Sequence, residues 1–109
     1  MPWLVREGDV LAAAEVAATH RARRRGLRGR DSVEGALVLR PCRSVHTVGM
    51  RFDIDVAFCD RDGIVIRTCC LRPWRLSPVV ARAALAIEAR AGCFERWNLH
   101  VGDKIEVKE

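Results

Sequence analysis

Apolar positions along this chain come in short runs broken by turn residues, and no stretch carries the long 3.6-residue stripe of a helical protein. Trp3, Leu4 and Val5 predict a short strand, ended by Glu7-Gly8-Asp9. Residues 10–18 are ambiguous: five alanines favour helix, while the Val and Leu content suits a strand. Thr19 is placed to cap a short helix that runs through Arg25 and closes at Gly26. Residues 35–39 form an apolar run before Pro41, the pattern of a buried strand. The clearest signal is a hairpin, with two β-rich runs (residues 54–59 and 64–71) flanking Asp60-Arg61-Asp62-Gly63. Its parity puts Ile54, Val56 and Phe58 on one face, and Asp55, Ala57 and Cys59 on the other, with Asp55 facing Thr68 or Cys70. A proline-bent loop follows at 72–78, then a strand within 83–90, a helical turn at 93–98, and a last strand over 104–107.

Together these elements predict a mainly β fold: a compact barrel-like or sandwich domain of about seven short strands with one or two short helices, residues 1–109 forming a single domain. A ferredoxin-like α+β layout is the competitor, if residues 10–25 form one continuous helix.

Composition narrows the class. At 109 residues, 50% hydrophobic and 30% charged, the chain lies in the globular range, which excludes a repeat array, a collagen-like fibre and a coiled coil. Five cysteines with no Cys-x-x-Cys pair write neither a closed disulfide framework nor a zinc knuckle, so they are expected to pack as small hydrophobes in a reducing cytoplasm. No basic start followed by an apolar run opens the chain and no apolar stretch is long enough to span a bilayer, so neither a signal peptide nor a membrane segment is predicted.

Reactive side chains concentrate between Cys42 and Asp55, with a thiol (Cys42), an imidazole (His46), a hydroxyl (Thr47) and two carboxylates (Asp53, Asp55). Cys42 beside His46 has the composition of an activated thiol. His46 with Cys42, Asp53 or Asp55 has that of a metal ligand set. The structural alternative is that His46 is a hydrogen-bonded strand residue and Asp55 anchors a loop by accepting backbone N–H bonds. No phosphate loop, nucleophile elbow or His-Glu-x-x-His pattern occurs.

Charge changes the picture once. Basic residues outnumber acidic ones 19 to 14, and six of the 17 arginines lie between Arg21 and Arg30; without those six the net charge falls from +5 to −1. Arginine forks suit phosphate, so Arg23, Arg24 and Arg25 are candidates for nucleic acid, yet the run holds no aromatic side chain to stack on bases. A solvated face with arginines paired to Asp31 or Glu34, or tied to the core, is the competing expectation. Trp74, between Arg72-Pro73 and Arg75, is expected to plug one end of a barrel rather than form an exposed recognition surface.

Three blocks in order resemble the domain-of-unknown-function 192 family of small bacterial and archaeal proteins. They are Arg23-Arg24-Arg25-Gly26-Leu27-Arg28-Gly29-Arg30; the stretch from Cys42 through Phe58 with Asp60-Arg61-Asp62-Gly63; and Leu85-Ala86-Ile87-Glu88 with Gly92 and Gly102-Asp103. The chain departs from the family pattern at His46-Thr47-Val48-Gly49-Met50, where many members carry Trp-Met-Lys-Asn-Thr, and at Asp53, where proline is usual. The resemblance implies a compact, mainly β barrel-like fold and implies no activity.

The expectation that follows is a small ligand-binding or accessory module, with no catalysis demonstrated by the sequence. Its polar site lies near the segment before the central hairpin, built from Arg30, His46, Thr47, Asp53, Asp55 and Glu88. The alternatives are a small metal- or thiol-dependent enzyme using Cys42, His46 and Asp55, and a basic RNA-binding protein acting through Arg21 to Arg30. No cofactor is named by the sequence, and the expected partner is a small polar ligand or a protein, with nucleic acid disfavoured and no membrane.

Overall fold

A computed structural model describes residues 1–109. Its elements run β1 (Trp3–Arg6), β2 (Asp9–Ala17), α1 (His20–Arg25), β3 (Ala36–Leu39), β4 (Ile54–Cys59), β5 (Val65–Leu71), β6 (Leu85–Arg90), α2 (Cys93–Arg96) and β7 (Ile105–Lys108). They form one seven-stranded sheet in the order β5-β4-β6-β3-β2-β1-β7. Neighbours are antiparallel except β2 and β3, which run parallel across the crossover that contains α1. Residues 10–25 are therefore a strand followed by a short helix, which rules out the ferredoxin-like layout. Alanine's helix preference yields here to pairing on both sides, against β1 and β3.

The sheet is not closed into a barrel. Its two end strands meet only at an isolated bridge between Ile64 and Lys104. At that point the Val65 amide donates to the Asp103 carbonyl and the Ile105 amide to the Gly63 carbonyl, both at 2.8 Å. A Cβ at Gly63 would stand 2.5 Å from the Ile105 carbonyl oxygen, so only glycine permits this approach. Asp60 closes the hairpin beside it, its Oδ1 accepting from the Asp62 and Ile64 amides at 2.9 and 3.0 Å.

Strand alternation splits the core into two layers. On one side Ala36, Val38, Ala57, Cys59, Ile87 and Ala89 pack with Leu4 of β1, Ile105 of β7 and Phe94 of α2, giving the interior of a sandwich-like fold. On the other, Leu37, Leu39, Ile54, Val56, Phe58 and Ala86 lie beneath Leu27, Val33, Val45 and Met50. The hairpin parity read from the sequence is reproduced in full, and Asp55 faces Cys70 in the register. Cys59 and Cys93 are buried and all five thiols are free, but Cys70 is exposed rather than packed.

Candidate functional site

Parity along β6 places Glu88 on the second face, between Leu37 of β3 and Val56 of β4. That row is otherwise apolar, and Glu88 is 2% exposed. Its Oε1 is buried and has no hydrogen-bond partner. Desolvation disfavours the charged form, raising its pKa from 4.5 to about 7. A buried carboxyl without a partner costs stability wherever it occurs. Glu88 is thus a polar group held in an apolar layer with nothing to bind.

Above it opens a cavity of about 470 Å³. Helix α1 and Gly26 form one wall, and residues 41–46 form the other. Thr19 caps the helix as the sequence implies, its Oγ1 accepting from the Ala22 amide at 3.1 Å. Gly26 ends it with φ +50°, and a Cβ there would lie 3.5 Å from Glu88 Oε1, so the bare backbone passes directly over the carboxyl. The helix turns Arg23, Arg24 and Arg25 toward this region, and all three line the cavity. Arg23 is tied down, donating to the carbonyls of Ala18 at 2.6 Å and Arg40 at 3.4 Å. The expected pairing with Asp31 or Glu34 does not form: the ion pairs of the molecule leave these three arginines out, and Asp31 binds Arg51 instead. The opposite wall supplies Cys42, Arg43 and His46. Cys42 is half-buried, and burial pushes its thiol up, while the S–H donates to the Ser44 carbonyl at 3.1 Å. It therefore holds its proton at neutral pH rather than presenting a thiolate.

The other residues singled out in the sequence lie elsewhere. Asp55 is on the opposite face of the sheet from Glu88, where its Oδ2 accepts from the Gly92 and Phe94 amides at 3.0 and 3.1 Å and so fixes the start of α2. The Cys42, His46 and Asp55 set is therefore not assembled, and nowhere do three His, Cys, Asp or Glu side chains converge as metal ligands. His46 Nδ1 accepts from the Val48 amide at 3.2 Å. Thr47 is fully buried; its hydroxyl donates to the Arg72 carbonyl at 2.5 Å and accepts from the Arg75 amide at 2.8 Å, clamping the 72–75 loop. Asp53 is exposed, and its carbonyl accepts from the Ala91 amide at 3.1 Å. Arg30 binds Glu15 with two bonds of 3.0 and 2.9 Å and lines a different cavity. Trp74 does not plug the sheet: it is 64% exposed, with φ +63°. The plugging tryptophan is the half-buried Trp97, packed on Phe94 with ring centroids 5.8 Å apart. The sequence grouped His46 with Glu88, and with Cys42 in the enzyme alternative, while the Arg23–Arg25 run stood apart as a nucleic-acid candidate. That they share one cavity depends on strand register, which no local pattern encodes.

A family model described as Uncharacterized ACR, domain of unknown function 192, matches residues 4–107. Two UPF0127 proteins, from Pyrococcus abyssi and Pyrococcus horikoshii, are 35% and 38% identical over 63 residues, or 58% of this chain. The matches cover 54% and 55% of those proteins, so the aligned chain spans about half the length of the curated relatives it matches. Two crystal structures share the fold. One, a protein of unknown function from Novosphingobium aromaticivorans, superposes with a TM-score of 0.82 at 20% identity over 96% of this chain and 82% of that one. The other, from Sinorhizobium meliloti and provisionally described as a transcription regulator, gives 0.80 at 19% identity over 97% and 91%. No helix here is long and apolar enough to cross a membrane.

Proposed function

This chain belongs to the domain-of-unknown-function 192 family, an uncharacterised family, and we propose that it is a small binding module that takes a polar ligand in the cavity above Glu88. The observation that carries the reading is the unpartnered Oε1 of Glu88 at the base of that cavity. Binding a ligand with a hydrogen-bond donor removes the cost of that buried group, so ligand affinity and protein stability rise together. The volume suits a small molecule. The binding side chains in this reading are Glu88, Arg24, Arg25 and His46, while Thr47 and Asp55 shape the scaffold and Arg30 is engaged with Glu15. A protonated Cys42 and a distant Asp55 favour binding over thiol or metal catalysis. Five free thiols suit a reducing cytoplasm.

The test is a thermal-shift screen of polar metabolites on the full chain and on Glu88→Gln. Ligands that raise the midpoint of the natural chain and lose most of that effect in Glu88→Gln support the reading. A screen whose hits are indifferent to Glu88→Gln contradicts it.

A further inference from the structure

We propose that the ligand is a phosphomonoester of a hydroxylated, non-aromatic molecule, a sugar or polyol phosphate, whose phosphate meets the arginine rim while a hydroxyl reaches Glu88. This deepens the reading above and rests on it.

Three observations select that class. The first is the charge around the opening. Arg23, Arg24, Arg25 and Arg43 line it, and none has a carboxylate partner within ion-pair distance. Glu88 is the sole acidic residue on the wall. A second cavity shares His20, Arg24 and Arg25 and adds Arg21 and Arg28, with no acidic residue, so positive charge continues around the helix. Guanidinium forks match phosphate oxygens in geometry as well as in sign. The second is the floor, where the orphan Oε1 asks for a hydrogen-bond donor. An ammonium would meet the same field as the phosphate with the wrong sign, so a neutral hydroxyl is the donor that suits both ends. The third is the wall between them. Its apolar members are Leu39, Pro41, Cys42 and Val45, with no Phe, Trp or Tyr. Base recognition relies on stacking surfaces, so this wall disfavours a nucleotide and single-stranded RNA, and favours an aliphatic hydroxylated body.

The experiment is isothermal titration of the full chain at pH 7 and low salt with three probes: inorganic phosphate, ribose, and ribose 5-phosphate. The joined ester is expected to bind at least about tenfold more tightly than phosphate, since it alone satisfies both ends. The double variant Arg24→Gln/Arg25→Gln should weaken ester binding about tenfold or more, and Glu88→Gln should shrink the ester's advantage over phosphate. Arg67→Gln/Arg90→Gln, at exposed positions of β5 and β6 outside the cavity, removes the same two charges as a control and should keep full affinity. An ester no better than phosphate, or affinity unmoved by the arginine variants, overturns the proposal. Binding of ribose alone that is lost in Glu88→Gln would overturn the phosphate class and leave the polar-ligand reading intact. Indifference of all three probes and of the wider metabolite screen to Glu88→Gln would end both. Tight binding of an RNA oligonucleotide with a steep salt dependence, unaffected by ribose 5-phosphate, would assign the arginines to RNA instead.

Discussion

Asp55 and Glu88 sit on adjacent strands of one sheet, one residue out of register, and point to opposite faces. Both are carboxylates in a β-rich, largely apolar setting. Asp55 finds two backbone amides at the start of α2, so its charge is matched where the chain folds back over it. Glu88 finds a bare glycine turn and an open cavity. One carboxylate completes the scaffold, and the other is kept at a cost to it. The contrast teaches that a residue type in a motif does not define a site; the decisive question is whether the fold has already satisfied it.

The largest expected effect breaks the comparison at Glu88. Replacing it by leucine, Glu88→Leu, should stabilise the protein at pH 8 by on the order of 2–3 kcal/mol, because an ionised buried group without a partner is exchanged for an apolar one. Urea denaturation measures this, and a loss of stability would show that Glu88 has a partner. Asp55→Ala should move the other way, costing about 2 kcal/mol as two amides of α2 lose their acceptor. Amide hydrogen exchange at Gly92 and Phe94 should rise in that variant and not in Glu88→Leu.

The smallest effect sharpens the contrast through neighbouring thiols. Glu88 holds up the Cys42 thiol in addition to burial, and Asp55 does the same at Cys70. Maleimide labelling at pH 8, resolved by peptide mapping, should therefore speed up a few-fold at Cys42 in Glu88→Gln and at Cys70 in Asp55→Asn. Crossed effects, each variant changing the other's thiol, would contradict the assignment of the two carboxylates to opposite faces. Cys59, pushed up to about 12 by burial, should stay unlabelled in both.

How much of this was legible in the sequence follows range of interaction. The hairpin was readable because Asp60 and Gly63 dictate their own turn, and the helix cap because Thr19 acts on Ala22, three residues away. The structural reading of Asp55 was available as an alternative, but its acceptor role depends on amides 37 and 39 residues further along the chain. Residues 10–18 were ambiguous because alanine fits either element, and only pairing with β1 and β3 decides it. Arg30 was grouped with Glu88 as the cation of the site, whereas Glu15 claims it and Arg24 and Arg25 line the cavity. Trp74 was expected inside and is outside, because Thr47 clamps its loop at the surface.

The central claim is that Glu88 is buried and unsatisfied, and its own titration tests it most directly. Below about pH 4.5 the carboxyl is protonated in both folded and unfolded chains and carries no ionisation penalty. Between 4.5 and about 7 the unfolded chain releases its proton while the folded one keeps it, so stability falls as pH rises through that window and is lower above it. The Glu88→Gln variant should lack this decline. Carbon-detected NMR titration of the Glu88 side-chain carboxyl in the ligand-free protein should give a midpoint near 7. A midpoint at the ordinary glutamate value of 4.5 would mean that water or a protein group satisfies Oε1, and the account of an open site above it would fail.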